Sequence, residues 1–128
     1  MLAVAIATLP GGKKIRVAST HLDAQKAPVN RLLQIKAIDS IARSESLPFI
    51  IAGDFNAEES SEIIKTLDKG FTRTCSNCAP TIPVINPKKA IDFIAYKPGK
   101  LLAVKSHQVI NETYASDHLP VIAVFSVQ

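Results

Sequence analysis

The sequence predicts a layered α/β (α+β) domain, a mixed β-sheet with helices packed on it, and three observations predict it. β-rich runs alternate with segments whose apolar residues recur at helical spacing, the pattern left by βα units and hairpins. The run Phe49–Ala52 is apolar at every position, as a strand covered on both faces is. The 128 residues are 47% hydrophobic, enough for one core, since a domain of this size buries about two thirds of its unfolded surface. The chain is therefore read as a single domain, 1–128.

The elements follow in order. "LAVAIATLPGGKKIRVAST" is two β-rich runs around Pro10, Gly11 and Gly12, a hairpin signal that pairs Leu2 to Leu9 with Lys14 to Ser19. From Pro28 to Ser44, Ile35, Ile38, Ile41 and Ala42 recur at helical spacing, and Pro28 suits a first turn. Arg31 and Gln34 stand four residues before Ile35 and Ile38, so they share that face and are expected to be buried and hydrogen-bonded. "LPFIIAGDF" reads as a central strand. Ser60 or Ser61 then caps a short helix carrying Ile63, Ile64 and Leu67, with Gly70 as its stop. Pro80, Pro83 and Pro87 mark a loop. Beyond it "AIDFIAY", "LLAVKSHQVI" and "LPVIAVFSV" each read as a strand.

Composition excludes some classes. No apolar run approaches the roughly 20 residues of a membrane-spanning helix, and no charged start precedes a signal-like stretch, so no membrane span is expected. The compartment stays open. The net charge of +4 suits an anionic substrate but is ordinary in small domains. Cys75 and Cys78 are spaced like a zinc half-site, a redox pair or a local disulfide. With no second pair to complete a zinc site, loop thiols or a local disulfide are the expectation.

Chemistry-bearing residues fall at strand ends. His21 and Asp23 follow the second strand, Asp54 and Asn56 the third; Asp92 opens "DFIAY", and Asp117 and His118 precede the last. Each alone has a plain explanation: His21 ends a strand, Asp54 forms an Asx turn, Asp92 sits at an edge, Asp117 caps a turn. Gathered at the strand ends of one layered sheet, they form a site for metal and proton transfer.

"STHLD", "GDFNAE", "IDFIAY" and "SDHLPV", in this order, resemble the C-terminal half of the endonuclease/exonuclease/phosphatase family. The resemblance implies half of a two-sheet α/β sandwich of the deoxyribonuclease I-like type. It implies a Mg²⁺-dependent hydrolase of phosphate esters, a phosphodiesterase, phosphatase or nuclease, with Mn²⁺ as the alternative ion. Asp117 would be a metal ligand. His118, polarised by Asp92, would contact the scissile phosphate and shuttle a proton. Asp54 would orient or deprotonate the attacking water or bind a second metal, Asn56 would hold the phosphate or nucleophile, and His21 would donate to a phosphate oxygen. Either Asp54 or His118 can be the base.

The family's earlier motifs, including its metal-binding Glu, are not among these residues, so the 128 residues alone are expected to be inactive. The partners implied are a phosphate-ester substrate and, over the apolar sheet face, the N-terminal half or a second copy in a homodimer. Nucleic acid is a lesser candidate, because the chain has 5% aromatics and no Trp for base stacking. The alternative function is a non-catalytic remnant of the fold acting as a binding or assembly module. A Ser-His-Asp hydrolase built on Ser116 is disfavoured by the absence of a G-x-S-x-G elbow.

Overall fold

Gly11 and Gly12 take φ of +90° and +88°, a region closed to most L residues, and Gly12 N–H donates to Leu9 O at 2.9 Å. That turn sets the antiparallel pair β1 (Leu2–Thr8) and β2 (Lys14–His21), with Leu2 opposite Thr20 and Thr8 opposite Lys14. A computed structural model describes residues 1–128. After β2 come α1 (Val29–Ser44), β3 (Phe49–Asp54), α2 (Glu62–Gly70), β4 (Thr72–Arg73), β5 (Asp92–Tyr96), β6 (Leu102–Val109) and β7 (Val121–Val127). Five strands form one mixed sheet in the order β1-β2-β3-β5-β4. β3 runs parallel to β2 and antiparallel to β5. The apolar run Phe49–Ala52 is thus the central strand.

One sheet face carries both helices. Ala18, Phe49, Ile51, Phe93 and Ala95 alternate onto it and meet Ile35, Ile38 and Ala42 of α1 and Ile63, Ile64 and Leu67 of α2 in one buried cluster. Each fully buried Ile or Phe contributes about 1.5–3 kcal/mol relative to exposure. Ile41 departs from the expected stripe and is 47% exposed: it lies at the margin of the helix face, beyond the neighbours that cover Ile38. Arg31 and Gln34 are half-buried and hold the loop after β2. Asp23 N–H donates to Gln34 Oε1 at 2.8 Å, and Arg31 Nη1 donates to Asp23 O at 3.1 Å.

Four details refine the sequence reading. Pro28 is the N-cap of α1 and precedes its first turn. Ser61 caps α2, its Oγ accepting from Ile64 N–H at 3.3 Å. Gly70 is no left-handed stop: it is the last residue of α2, and a Cβ there would fall 2.5 Å from Asp39 Oδ1 of α1, so its smallness serves helix approach. Cys75 and Cys78 form a local disulfide.

The last two strands do not join the main sheet. β6 and β7 pair only with each other and lie against the face opposite the helices, where the Tyr96 and Phe125 rings meet edge-on at 5.4 Å. This second layer covers that face in part, leaving Ala3, Ala5 and Val17 exposed.

Register places the chemistry. His21 pairs with Asp54 across β2 and β3, and Asp54 with Asp92 across β3 and β5. The three side chains therefore form a row at one end of the sheet, on the face opposite the helices. Gly53 permits this register. Its φ is +154° and a Cβ would fall 1.8 Å from Thr20 O of the paired strand, an overlap that no rotamer relieves. Gly53→Ala is expected to destabilise the domain by more than about 4 kcal/mol, in the range reserved for severe backbone or core damage. A thermal melt that matched the parent would show that β2 and β3 pair differently.

Candidate functional site

The row is completed from the segment before β7. His118 Nδ1 lies 2.8 Å from Asp92 Oδ2, and its Nε2 lies 3.8 Å from Asp54 Oδ2. His21 Nε2 approaches the same Asp54 oxygen at 3.5 Å. Asn56 adopts φ +47°, which Asn tolerates better than most residues. That turn lets its N–H donate to Asp54 Oδ1 at 2.8 Å and its Nδ2 donate to Leu22 O at 2.8 Å. Asp54 has the geometry of its plain reading, with Oδ1 closing an Asx turn, while Oδ2 faces the two imidazoles.

His21, Asp54, Asn56, Asp92 and His118 thus converge. Asp117 does not join them: it is exposed, with Ser116 Oγ 3.5 Å from its Oδ1. One residue at the site escaped the sequence reading. Thr81 is 1% exposed, and its Oγ1 donates to Asp92 Oδ2 at 2.6 Å, the oxygen that also meets His118. Its backbone is fixed too, since Thr81 N–H donates to Lys89 O at 2.7 Å and Leu119 N–H donates to Thr81 O at 2.8 Å. The only sequence signal was a Thr among prolines, which says nothing of a partner eleven residues on.

Asp54 and His118 both hold a proton more readily than the free side chains do. Burial raises the Asp54 carboxyl above the usual carboxylate range, and the Asp92 charge adds to it; the Asn56 N–H and the two imidazoles oppose this without reversing it. Burial pulls His118 down, but its hydrogen bond to Asp92 and the surrounding carboxylates of Asp92, Asp54 and Asp117 outweigh that and raise it. His107 lies elsewhere, on β6 with Nδ1 2.7 Å from Thr74 Oγ1, and burial lowers it. Between Asp54, Asp92, Leu119 and Val121 is a cleft of about 220 Å³.

Comparison with known proteins gives one family. The model of the Endonuclease/Exonuclease/phosphatase family matches residues 2–118. Among solved structures, D. rerio TDP2 humanised by 14 mutations is similar, with TM-score 0.80 and 19% identity over 98% of this chain and 60% of its own. The human Nocturnin catalytic domain with bound sulfate gives TM-score 0.76 and 21% identity over 99% of this chain and 52% of its own. A mannosyl-6-phosphatase of Bacteroides thetaiotaomicron VPI-5482 gives TM-score 0.70 and 22% identity over 89% and 52%. The chain thus spans between half and two thirds of the length of these structures. No curated protein sequence matches it.

Such proteins are generally metal-dependent, and ligand atoms of Asp54, Asp92 and His118 lie within 4.8 Å of one another. The donors do not fit Mg²⁺ by themselves. Asp92 Oδ2 is committed to Thr81 and His118, Asp54 Oδ1 to Asn56, and the third group is an imidazole. One free oxygen on each carboxylate falls well short of the roughly six oxygens that octahedral Mg²⁺ takes.

The His118–Asp92 contact sets a titration. Because folding raises the His118 pKa, protonation favours the fold: this contribution is fully present below the unfolded value and is lost as pH rises through the folded one. Histidine NMR is expected to show His118 titrating above the ordinary imidazole value and His107 below it, with Asp92→Asn moving His118 downward. A His118 midpoint unmoved in Asp92→Asn would remove Asp92 as its electrostatic partner.

Proposed function

The chain belongs to the endonuclease/exonuclease/phosphatase family, and from that premise we propose that it carries the proton-transfer half of a phosphate-ester hydrolase, a phosphodiesterase, phosphatase or nuclease. One observation carries the reading. The row His21, Asp54, Asp92 is joined by His118 through a 2.8 Å hydrogen bond to Asp92, beside a cleft of about 220 Å³.

In this reading Asp54, its carboxyl raised by burial, takes a proton from the water whose oxygen attacks phosphorus. His118, kept protonated by Asp92, holds its Nε2 proton toward the ester. As the P–O bond breaks, that proton passes to the departing alkoxide, leaving an alcohol and a phosphate. His21 donates to a phosphate oxygen as charge builds on it, and the Asn56 side-chain oxygen, left free while Nδ2–H donates to Leu22 O, orients the water. Mg²⁺, or Mn²⁺ in its place, is assigned to the complete hydrolase, with Asp117 and Asp54 contributing two oxygens. When bound it neutralises phosphate charge. On these 128 residues alone the ligand set is incomplete, and hydrolysis is expected to be negligible. The exposed part of the sheet face opposite the helices is assigned to the N-terminal half of the fold or to a second copy of this chain.

The decisive measurement is turnover of phosphomonoesters and phosphodiesters by the complete hydrolase with Mg²⁺. His118→Ala is expected to lower turnover by at least about 10²-fold, the scale of a lost acid or base, while Asp117→Ala raises the Mg²⁺ concentration needed for half-maximal rate. Near-normal turnover in His118→Ala on every accepted substrate would end the dyad assignment. The covered face has its own check: light scattering of the 128-residue chain is expected to show a dimer or a complex. A monodisperse monomer with one band on a denaturing gel would show that the face needs no partner.

A further inference from the structure

The main sheet ends in an open edge at β1, which closes the order β1-β2-β3-β5-β4 and bonds to β2 alone. Met1 N donates to His21 O at 3.0 Å, His21 N–H donates to Met1 O at 3.3 Å, and Leu9 N–H donates to Lys13 O at 2.7 Å. The alternation of an antiparallel ladder then turns Ala3, Ala5 and Ala7 toward β2 and leaves the N–H and C=O of Leu2, Val4, Ile6 and Thr8 pointing outward. Native proteins blunt such an edge with charge, proline or a covering loop. β1, LAVAIAT, has neither charge nor proline. We propose that β1 pairs antiparallel with β1 of a second copy of this chain, about a two-fold axis at Ala5, so that the two five-stranded sheets join edge to edge.

The strand and the surface beside it both suit a second copy. Centred on Ala5, the register sets Leu2 opposite Thr8, Val4 opposite Ile6 and Ala3 opposite Ala7 of the other copy. Every outward N–H and C=O then meets a partner, and no charge meets its like at the axis. Val4 stands opposite Ala18 of the core cluster, and Leu2 packs against that cluster, which puts Leu2, Val4 and Ile6 on the helix side of the sheet. Yet Val4 is 42% and Ile6 50% exposed. Beside them α1 carries a second apolar stripe, Leu33, Ala37 and Ile41, four residues apart and exposed. A hollow of about 190 Å³ lined by Met1, Leu2, Ala37 and Ile41 joins that stripe to the strand. A two-fold axis perpendicular to the sheet keeps both helices on one side, so the stripes of the two α1 helices close over the new strand pair.

The size of this surface sets the strength of the dimer. The strand at about 3.3 Å per residue and the helix at about 1.5 Å per residue both span roughly 24 Å, and a helix layer on a sheet is roughly 15 Å deep, so the edge outlines on the order of 350 Å² per copy. A standard interface buries about 800 Å² per partner. The dimer is therefore a small one, held by the strand ladder and dissociating in the micromolar range. It uses a different surface from the sheet face opposite the helices and does not depend on the proposed reaction. With the strands antiparallel across the axis, the His21 ends of the two copies point apart, so neither copy covers the other's site.

Sedimentation equilibrium of the 128-residue chain is expected to show monomer passing to dimer across the micromolar range. Val4→Pro removes an outward N–H and leaves the β2 ladder whole, and Ile6→Lys puts a charge on the edge. Each should raise the dissociation constant at least about tenfold with an unchanged circular dichroism spectrum. Under copper-catalysed air oxidation Ala5→Cys should link two copies, because facing residues of a non-hydrogen-bonded pair have Cα atoms about 4.5 Å apart, within the span of a disulfide. Ala3→Cys alone should stay unlinked, since it faces Ala7, whereas Ala3→Cys combined with Ala7→Cys should link. Ala5 lies on the exposed side of β1, so its replacement leaves the core whole and the cross-link reads the pairing even where Val4→Pro disturbs the fold. A monomer at every concentration, no cross-link in Ala5→Cys, or a second polypeptide in the dimer band would overturn the pairing. So would a dimer as tight in both Val4→Pro and Ile6→Lys as in the parent, which would lie on the opposite sheet face.

Discussion

The structure turns on one oxygen, Asp92 Oδ2. It stands at the start of β5 and meets Thr81 Oγ1 at 2.6 Å and His118 Nδ1 at 2.8 Å. Thr81 is itself tied to Leu119 through its carbonyl, so the Pro-rich loop and the approach to β7 are fastened at one point to the end of the main sheet. No ladder of backbone hydrogen bonds joins the two sheets. The β6–β7 layer is held by this junction and by apolar contacts such as Tyr96 on Phe125. Hydrogen bonds to a charged group are worth about 1.5–3 kcal/mol each, so the pair here contributes substantially to docking the second layer. The same bond fixes the imidazole, and a substitution at Asp92 would be felt in both sheet docking and the placing of the His118 ring.

A row of two carboxylates on paired strands is unfavourable in itself, because like charges directly opposite repel. Asp54 shows the strain, since burial and Asp92 both favour its neutral form. The imidazoles relieve it: His118 reaches Asp92 and Asp54, and His21 reaches Asp54. The arrangement stays poised, with Asp54 readier to accept a proton and His118 readier to hold one than either would be alone in water. Removing one imidazole would therefore alter the partner carboxylate as well as lose its own function.

Where periodicity carried the signal, the sequence was enough: Ile35, Ile38 and Ala42 at helical spacing, and a central strand at Phe49–Ala52 that is apolar throughout. It was enough also where side chains fall at strand ends, because parallel β2 and β3 followed by helices must bring His21 and Asp54 to the same end. Other features depend on pairing that no local pattern encodes. β4 is two residues long and is stabilised by Arg73, which pairs with Glu59 and Asp68 and stacks on Phe93. The separation of β6 and β7 from the main sheet leaves no trace in their composition. Thr81 is illegible for the same reason, since its value lies in a contact made by loop closure and not in its neighbours along the chain.

The cleft beside Asp54 and Asp92 bears on why the substrate is not legible either. At about 220 Å³ it falls below the roughly 300–1,000 Å³ of pockets that enclose a small molecule. In the proposed reading the phosphoryl group sits beside it, against His21 and His118. Its walls are Ala52, Phe93, Ile94, Leu119 and Val121 around two carboxylates, a lining that can exclude water and set proton transfer but offers few donors to recognise an alcohol. In that reading the groups that act on the phosphate lie at strand ends and are visible in the sequence. Selection among alcohols must come from surface outside the cleft, where neither spacing nor register constrains the residues.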